Sequence, residues 1–326
     1  MLKNYTGIAK IFLLCLFLGS ILVFFYFSYS INENVLRGPP SQGTYKSFTT
    51  KHDGLVRSYD VYVPSTLLAN APAIFAFHGS YGKSDQMRWI SGYDFEYLAE
   101  EKGFIVVYPQ GYKNFWNDCR ASADYLSNIE DVDDVGFFKK LVKIVEKDFK
   151  VNSSKIIATG ISNGGHMVYK LALEAPGEVF ITAPLVASLP VQENSDCRAS
   201  NQAVHMMIFN GTNDPINPYD GGLVKVLGNS SRGAVMSSED TYRYWANLAK
   251  STSEEVFNFE ERDGNDITSV YRKQSIGTKV VALYTLVNSG HVVATQYATL
   301  GDDYGGNAGD VSAANEIFSL YEELSR

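Results

Sequence analysis

Runs of basic residues are absent from this chain. Its 28 Lys and Arg are scattered among 36 Asp and Glu, and the formal net charge is −8. A polyanionic partner needs clustered cations, so nucleic acid is excluded as a ligand. Cysteine is scarce: Cys15, Cys119 and Cys197 are too few for a disulfide scaffold, and no Cys-x-x-Cys pair occurs. The five histidines do not cluster at metal spacing, and no phosphate-binding glycine loop is present. Neither a metal nor a cofactor is expected. Beyond residue 44 the chain shows no long linker, low-complexity tract or internal repeat.

One long apolar run is present. "IFLLCLFLGSILVFFYFSYSI", residues 11–31, carries no charge, and about 20 apolar residues suffice to span a bilayer. Lys3 and Lys10 precede it, so the positive-inside bias leaves the N-terminus in the cytoplasm and the rest outside. The segment reads as a signal anchor, with a cleaved signal peptide as the rival. Residues 32–44, with Pro39-Pro40 flanked by glycines, read as a polar tether, and 45–326 as one extracytoplasmic domain. In that setting Cys119 and Cys197 are the available pair for a disulfide, against two buried thiols.

Within the domain, strand and helix signals alternate. "VRSYDVYV" alternates apolar and polar residues and predicts a half-exposed edge strand. "APAIFAFHG", "GFIVVYPQG", "KIIATGIS", "VHMMIFNGT" and "TKVVALYTLVNSG" are compact apolar runs suited to strands buried on both faces. Between them, Val135, Phe138, Leu141, Val142, Val145 and Phe149 share one helical face in a helix expected from Asp131. Met167, Val168, Leu171, Ala172 and Ala175 do the same from Asn163, and Pro176 stops that helix. Further helices are expected near Ser237 and Ser312. The order implies a doubly wound, mostly parallel α/β sheet, whose ligand site lies at the carboxyl ends of its strands.

At one such end stands Gly160-Ile161-Ser162-Asn163-Gly164, directly after a strand and directly before an amphipathic helix. That is the setting of a nucleophile elbow, in which Ser162 stands exposed above the sheet. A base must follow it. His52 and His78 come too early, His166 sits one turn along the elbow helix, and His205 lies inside a strand. His291, in the loop after the last strong strand, can reach over the serine. Asp214, in "FNGTNDPINPYDGG", is the matching acid, with Asp220 as competitor; Asp131, Asp133 and Asp134 read as a helix start. Backbone N–H groups of Ser80 and Asn163 are the expected oxyanion donors, with His78 holding the Ser80 loop.

The blocks "FHGSYG", "YPQGYKNFWND", "DVDDVGFF", "GISNGGHMVYKLALEAP", "FNGTNDPINPYDGG" and "SGHVV" carry a resemblance. Together they resemble the polyhydroxybutyrate depolymerase-like and feruloyl esterase-like branch of the α/β hydrolases, from about residue 55 to 295. The resemblance implies the same trio: Ser162 as nucleophile, Asp214 as acid and His291 as base. It also suggests that Trp116 lines the acyl or polymer groove, unless it is a core tryptophan. Two features depart from the family: "GHVVATQY" lacks the aromatic-proline stretch after the histidine, and no polymer-binding module follows the domain. The expected activity is that of a serine carboxylic-ester hydrolase on small or oligomeric esters. A feruloyl or acetyl-xylan type esterase is the alternative on the same fold, and a catalytically inactive binding protein the alternative of another class.

Overall fold

The computed structural model describes residues 35–264 and 268–326. The expected anchor or signal segment, 11–31, lies outside them, as does Cys15. Among the described residues no helix is long and apolar enough to cross a membrane.

The strands are β1 (Thr44–His52), β2 (Leu55–Val63), β3 (Ala73–Phe77), β4 (Ile105–Pro109), β5 (Ile156–Ile161), β6 (Ile181–Leu185), β7 (His205–Gly211), β8 (Gly222–Leu223), β9 (Ala234–Val235), β10 (Ser253–Asn258), β11 (Ser269–Ile276) and β12 (Val280–Val287). The helices are α1 (Gln86–Ile90), α2 (Asp94–Lys102), α3 (Leu126–Ile129), α4 (Asp134–Phe149), α5 (Asn163–Glu174), α6 (Ser238–Leu248) and α7 (Ala313–Leu324). Ten strands form one sheet in the order β1-β2-β4-β3-β5-β6-β7-β12-β11-β10, and β8 pairs with β9 apart from it. The run from β4 to β12 is parallel, and the outer strands on both sides are antiparallel. This is the mostly parallel sheet of an α/β-hydrolase fold.

The apolar runs are uninterrupted because both faces of the central strands are covered. In β3, Ala73, Phe75 and Phe77 enter one core with α4, α5 and α6, while Ile74 and Ala76 enter a second with α1, α2 and α7. Strand β5 splits likewise, Ile156 and Ala158 to one side, Ile157 and Ile161 to the other. Helix α4 buries Phe137, Phe138, Leu141, Val142 and Val145, and each such side chain contributes roughly 1.5–3 kcal/mol of transfer free energy. Ser237 and Ser312 cap α6 and α7 by accepting from Asp240 N and Asn315 N.

Two expectations need correction. β2 is not an edge strand, because the polar segment before it pairs along its outer side as β1. Helix α4 starts at Asp134 rather than Asp131: Asp131 turns through a positive φ of 46° and Asp133 caps, accepting from Gly136 N at 2.7 Å. The described part of the 32–44 segment contacts the domain. Leu36 N donates to Tyr297 O at 2.9 Å, and Arg37 pairs with Asp94 and lies 3.6 Å from the centroid of the Tyr297 ring.

Candidate active site

Strand β5 delivers Ser162 to its carboxyl end, and α5 starts at the next residue. Ser162 has φ 56° and ψ −120°, a backbone state that side chains rarely occupy and that surrounding structure must hold. Its N–H donates to Leu185 O and its carbonyl accepts from His166 N, both at 2.9 Å. The flanking glycines permit the turn. A Cβ at Gly160 would sit 2.7 Å from Gly164 C, and one at Gly164 would collide with Phe77 O. Ser162 itself is half-buried among buried neighbours.

Two strands away in the sheet, the turn after β7 presents Asp214. Its Oδ1 accepts from Ile216 N and Asn217 N, both at 2.8 Å, so the carboxylate cannot rotate freely. Its Oδ2 lies 2.7 Å from Nδ1 of His291, which follows β12, the strand beside β7. Both side chains are buried.

The turn after β3 packs against the serine: a Cβ added at Gly79 would touch Ser162 Cβ at 3.5 Å. Gly79 N donates to Gln86 Oε1 at 3.0 Å, and half-buried Ser80 follows. Asn163 opens α5, so its N–H lacks the intrahelical acceptor that later residues have. His78 underlies this turn. Its Nδ1 donates to Gly79 O at 2.7 Å, while Nε2 accepts from Gly111 N at 2.9 Å and faces Gln110 Nε2 at 3.1 Å. Burial lowers its pKa to about 4, and a proton on Nε2 would oppose the donors already aimed there.

Trp116 is fully buried and does not line a groove. Its indole Nε1 donates to His78 O at 3.0 Å, and it packs edge-on against Phe77, bracing the turn from beneath. The side chain of Asn163 holds the Trp116 backbone and also donates to Asp118 Oδ2 at 2.6 Å. Asp118 is buried with Arg120 and Tyr125. Burial alone would raise its pKa, but the Arg120 guanidinium holds it down at about 2. Deeper still, Asp134 pairs with Arg57 at 2.6 Å and accepts from Asn117 N at 2.8 Å. The sequence blocks containing these residues were legible; that their charges pair inside was not, because buried and solvated ion pairs use the same residue types.

Of the remaining histidines, His52 and His205 lie apart from this chemistry, while His166 is near enough to feel the charges of Arg120, Asp118 and His291. His205 accepts from Val280 N at 3.1 Å inside the sheet, and His52 meets Asp133 at 2.9 Å near the surface. His166 is buried on α5, its pKa pushed well down by burial. Asp220 is exposed. Cys119 and Cys197 are joined in a disulfide. One acidic trio, Glu261, Asp263 and Asp310, brings carboxylate oxygens within 4.8 Å of one another, and backbone N–H groups of Arg262 and Gly309 already donate into it.

The esterase PHB depolymerase family model matches residues 57–247, more than half of the chain. A probable feruloyl esterase C of Aspergillus niger is 29% identical over 175 residues, covering 51% of this chain and 58% of that protein. A feruloyl esterase B of Piromyces equi is 26% identical over 227 residues, covering 68% of this chain and 39% of its own length. The chain thus spans less than two thirds of these curated relatives. Among solved structures, an acetyl xylan esterase from Aspergillus awamori superposes with a TM-score of 0.52 at 18% identity, covering 77% of this chain and 95% of that one. At that identity the likeness is one of fold.

Proposed function

Because this chain belongs to the esterase PHB depolymerase family, we propose that it is a serine carboxylic-ester hydrolase working through an acyl-enzyme. The observation that carries the reading is the Asp214–His291 pair at 2.7 Å, formed at carboxyl ends of the same parallel sheet that carries Ser162 on its sharp turn. Asp214 engages Nδ1, which leaves Nε2 of His291 as the nitrogen to take the Ser162 proton. Ser162 Oγ then attacks the ester carbonyl. His291 returns the proton to the leaving alcohol, and afterwards activates the water that frees the acid. Backbone N–H groups of Ser80 and Asn163 hold the oxyanion. This chemistry requires no cofactor.

The feruloyl and acetylxylan activities named for the relatives favour small phenolic or acetyl esters beside hydroxyacyl ones. An extracytoplasmic location is part of the reading: disulfides persist in oxidising compartments, and Cys119–Cys197 is one. The unit that acts runs from residue 45 to 326, with the N-terminal segment as membrane anchor or signal peptide.

A fluorophosphonate probe tests the reading directly. Labelling at Ser162, with turnover of at least one ester in a panel of short acyl, hydroxyacyl, acetyl-sugar and feruloyl esters, is the expected result. A folded protein that neither labels nor turns over any of them is a binding protein instead.

A further inference from the structure

Three arginines are buried among the described residues. Arg57 has Asp134 and Arg120 has Asp118, each within 2.6 Å. Among the described residues, Arg232 has no carboxylate partner. It is 2% exposed, and its Nε and Nη1 find no hydrogen-bond partner. The buried hydroxyl of the preceding residue, Ser231, has none either. A guanidinium withdrawn from water without an anion is costly, and a cation–π contact offsets little of that cost. The loop is nevertheless fastened: Asn194 Nδ2 donates to Arg232 O and Ala234 O, both at 3.0 Å.

Its position gives the unpaired charge a meaning. The Arg232 guanidinium carbon lies 5.6 Å from the ring of Tyr125. Tyr125 stacks on Phe115 at 4.7 Å, and Phe115 meets Tyr81 edge-on at 4.7 Å. Tyr81 adjoins Ser80, and the Tyr125 hydroxyl lies 3.4 Å from the side chain of Asn163, the residue after Ser162. A row of rings therefore runs from the proposed oxyanion turn to the arginine. The same loop is tied to the Asp214 turn, where Lys225 N donates to Ile216 O at 3.0 Å.

We propose that Ser231 and Arg232 form a carboxylate-binding subsite beside the Ser162 elbow, so that the ester hydrolysed carries a free carboxylate. The proposal rests on the ester-hydrolase reading above and deepens it by naming a substrate class. A planar carboxylate matches the two-pronged donor face of a guanidinium and supplies the counter-charge that the protein withholds. The carboxylate could belong to the acyl part, as in a dicarboxylic half-ester, or to the alcohol part, as in an ester of a hydroxy acid.

Two pairs of probes separate those sources. Mono-4-nitrophenyl adipate is compared with its methyl ester, and 4-acetoxybenzoate with 4-acetoxybenzamide. In one arm, Arg232→Gln should lower the ratio of kcat/KM for charged over neutral probe at least about tenfold, mainly through KM. A ratio unchanged within about twofold in both arms overturns the subsite. Should Arg232→Gln fail to fold, Arg232→Lys keeps the charge but not the fork, and the same ratio should fall severalfold; no change again overturns the subsite. Thermal shifts with adipate and 4-hydroxybenzoate add a readout that needs no turnover. If the wild-type protein hydrolyses no probe but is stabilised by one of these acids, and Arg232→Gln abolishes the shift, the subsite stands and the esterase reading falls. A shift that survives Arg232→Gln, or no shift in the wild-type protein, overturns the subsite.

Discussion

The side chain of Asn163 grips the backbone of Trp116 in both directions, its Oδ1 accepting from Trp116 N at 2.8 Å and its Nδ2 donating to Trp116 O at 3.1 Å. The residue after the proposed nucleophile thus fixes the loop whose indole supports the proposed oxyanion turn. Asn163→Ala would strip these bonds, leave Trp116 N unpaired and remove a donor from Asp118. Stability should fall by about 2–4 kcal/mol. Urea unfolding measures it, and a loss under about 0.5 kcal/mol would show that water replaces the amide without penalty.

The proposed triad makes a prediction about unequal losses. Ser162→Ala and His291→Ala should each lower kcat by a factor on the order of 10⁴ or more, and the double variant should be little worse. Asp214→Asn should cost somewhat less, since serine and imidazole remain while the favoured tautomer is lost. Asp220→Asn should retain most activity, because that side chain is exposed and has no assigned step. Ester-hydrolysis rates on folded variants decide it. A Ser162→Ala protein that keeps its rate ends the assignment.

Much of this arrangement could be read from residues alone, for definite physical reasons. The central strands announce themselves because burial on two faces leaves no room for polar residues, as in Ile74 to Phe77. The sharp turn at Ser162 was identifiable because it demands glycine on both sides. β10 escaped notice because an edge strand buries little: all of Ser253–Asn258 is exposed. Trp116 was ambiguous because a large aromatic serves groove and core alike, and only its 0% exposure separates them. Arg232 carried no signal whatever, since nothing in a sequence marks a charge as unpaired.

His78 predicts how stability depends on pH. Its imidazole stays neutral in the fold down to about pH 4, whereas the unfolded chain takes up a proton as pH falls through 6.5. The unfolded state binds more protons in that window, so this contribution is full above pH 6.5 and drains away as pH falls toward 4. His78→Gln should be less stable than the wild-type protein at pH 7.5, and the gap should narrow by about 3 kcal/mol on reaching pH 4. Chemical denaturation at several pH values gives the gap. A constant difference would mean that the imidazole is not held neutral.

The disulfide closes a loop with a sequence separation of 78 that contains β5, α5 and β6. Cross-linking so long a loop restricts the unfolded chain, and losing the link typically costs 2–5 kcal/mol. Thermal melts with and without a phosphine reductant should differ accordingly, and Cys119→Ser with Cys197→Ser should match the reduced protein. Peptide mapping without reduction should recover the two cysteines linked; finding both freely alkylated would contradict the bond.

The clasp at Arg37 has a mechanical consequence. Val35 bridges Ala298 and Leu36 hydrogen-bonds Tyr297, so the incoming chain lies along the stretch that begins at His291. Tension on the chain upstream of Val35 meets these two contacts and then Arg37, braced on Asp94, on Gly92 O at 2.6 Å and between the rings of Tyr97 and Tyr297. Asp94 is in turn engaged by Ser312 at the start of α7, which spreads the load to a second helix. While that clasp holds, a pull is shared with α2 and α7 and is not borne by the stretch after His291 alone. Once it slips, only the Val35 and Leu36 contacts hold the incoming chain, and their partners Ala298 and Tyr297 lie on the stretch that leads back to His291.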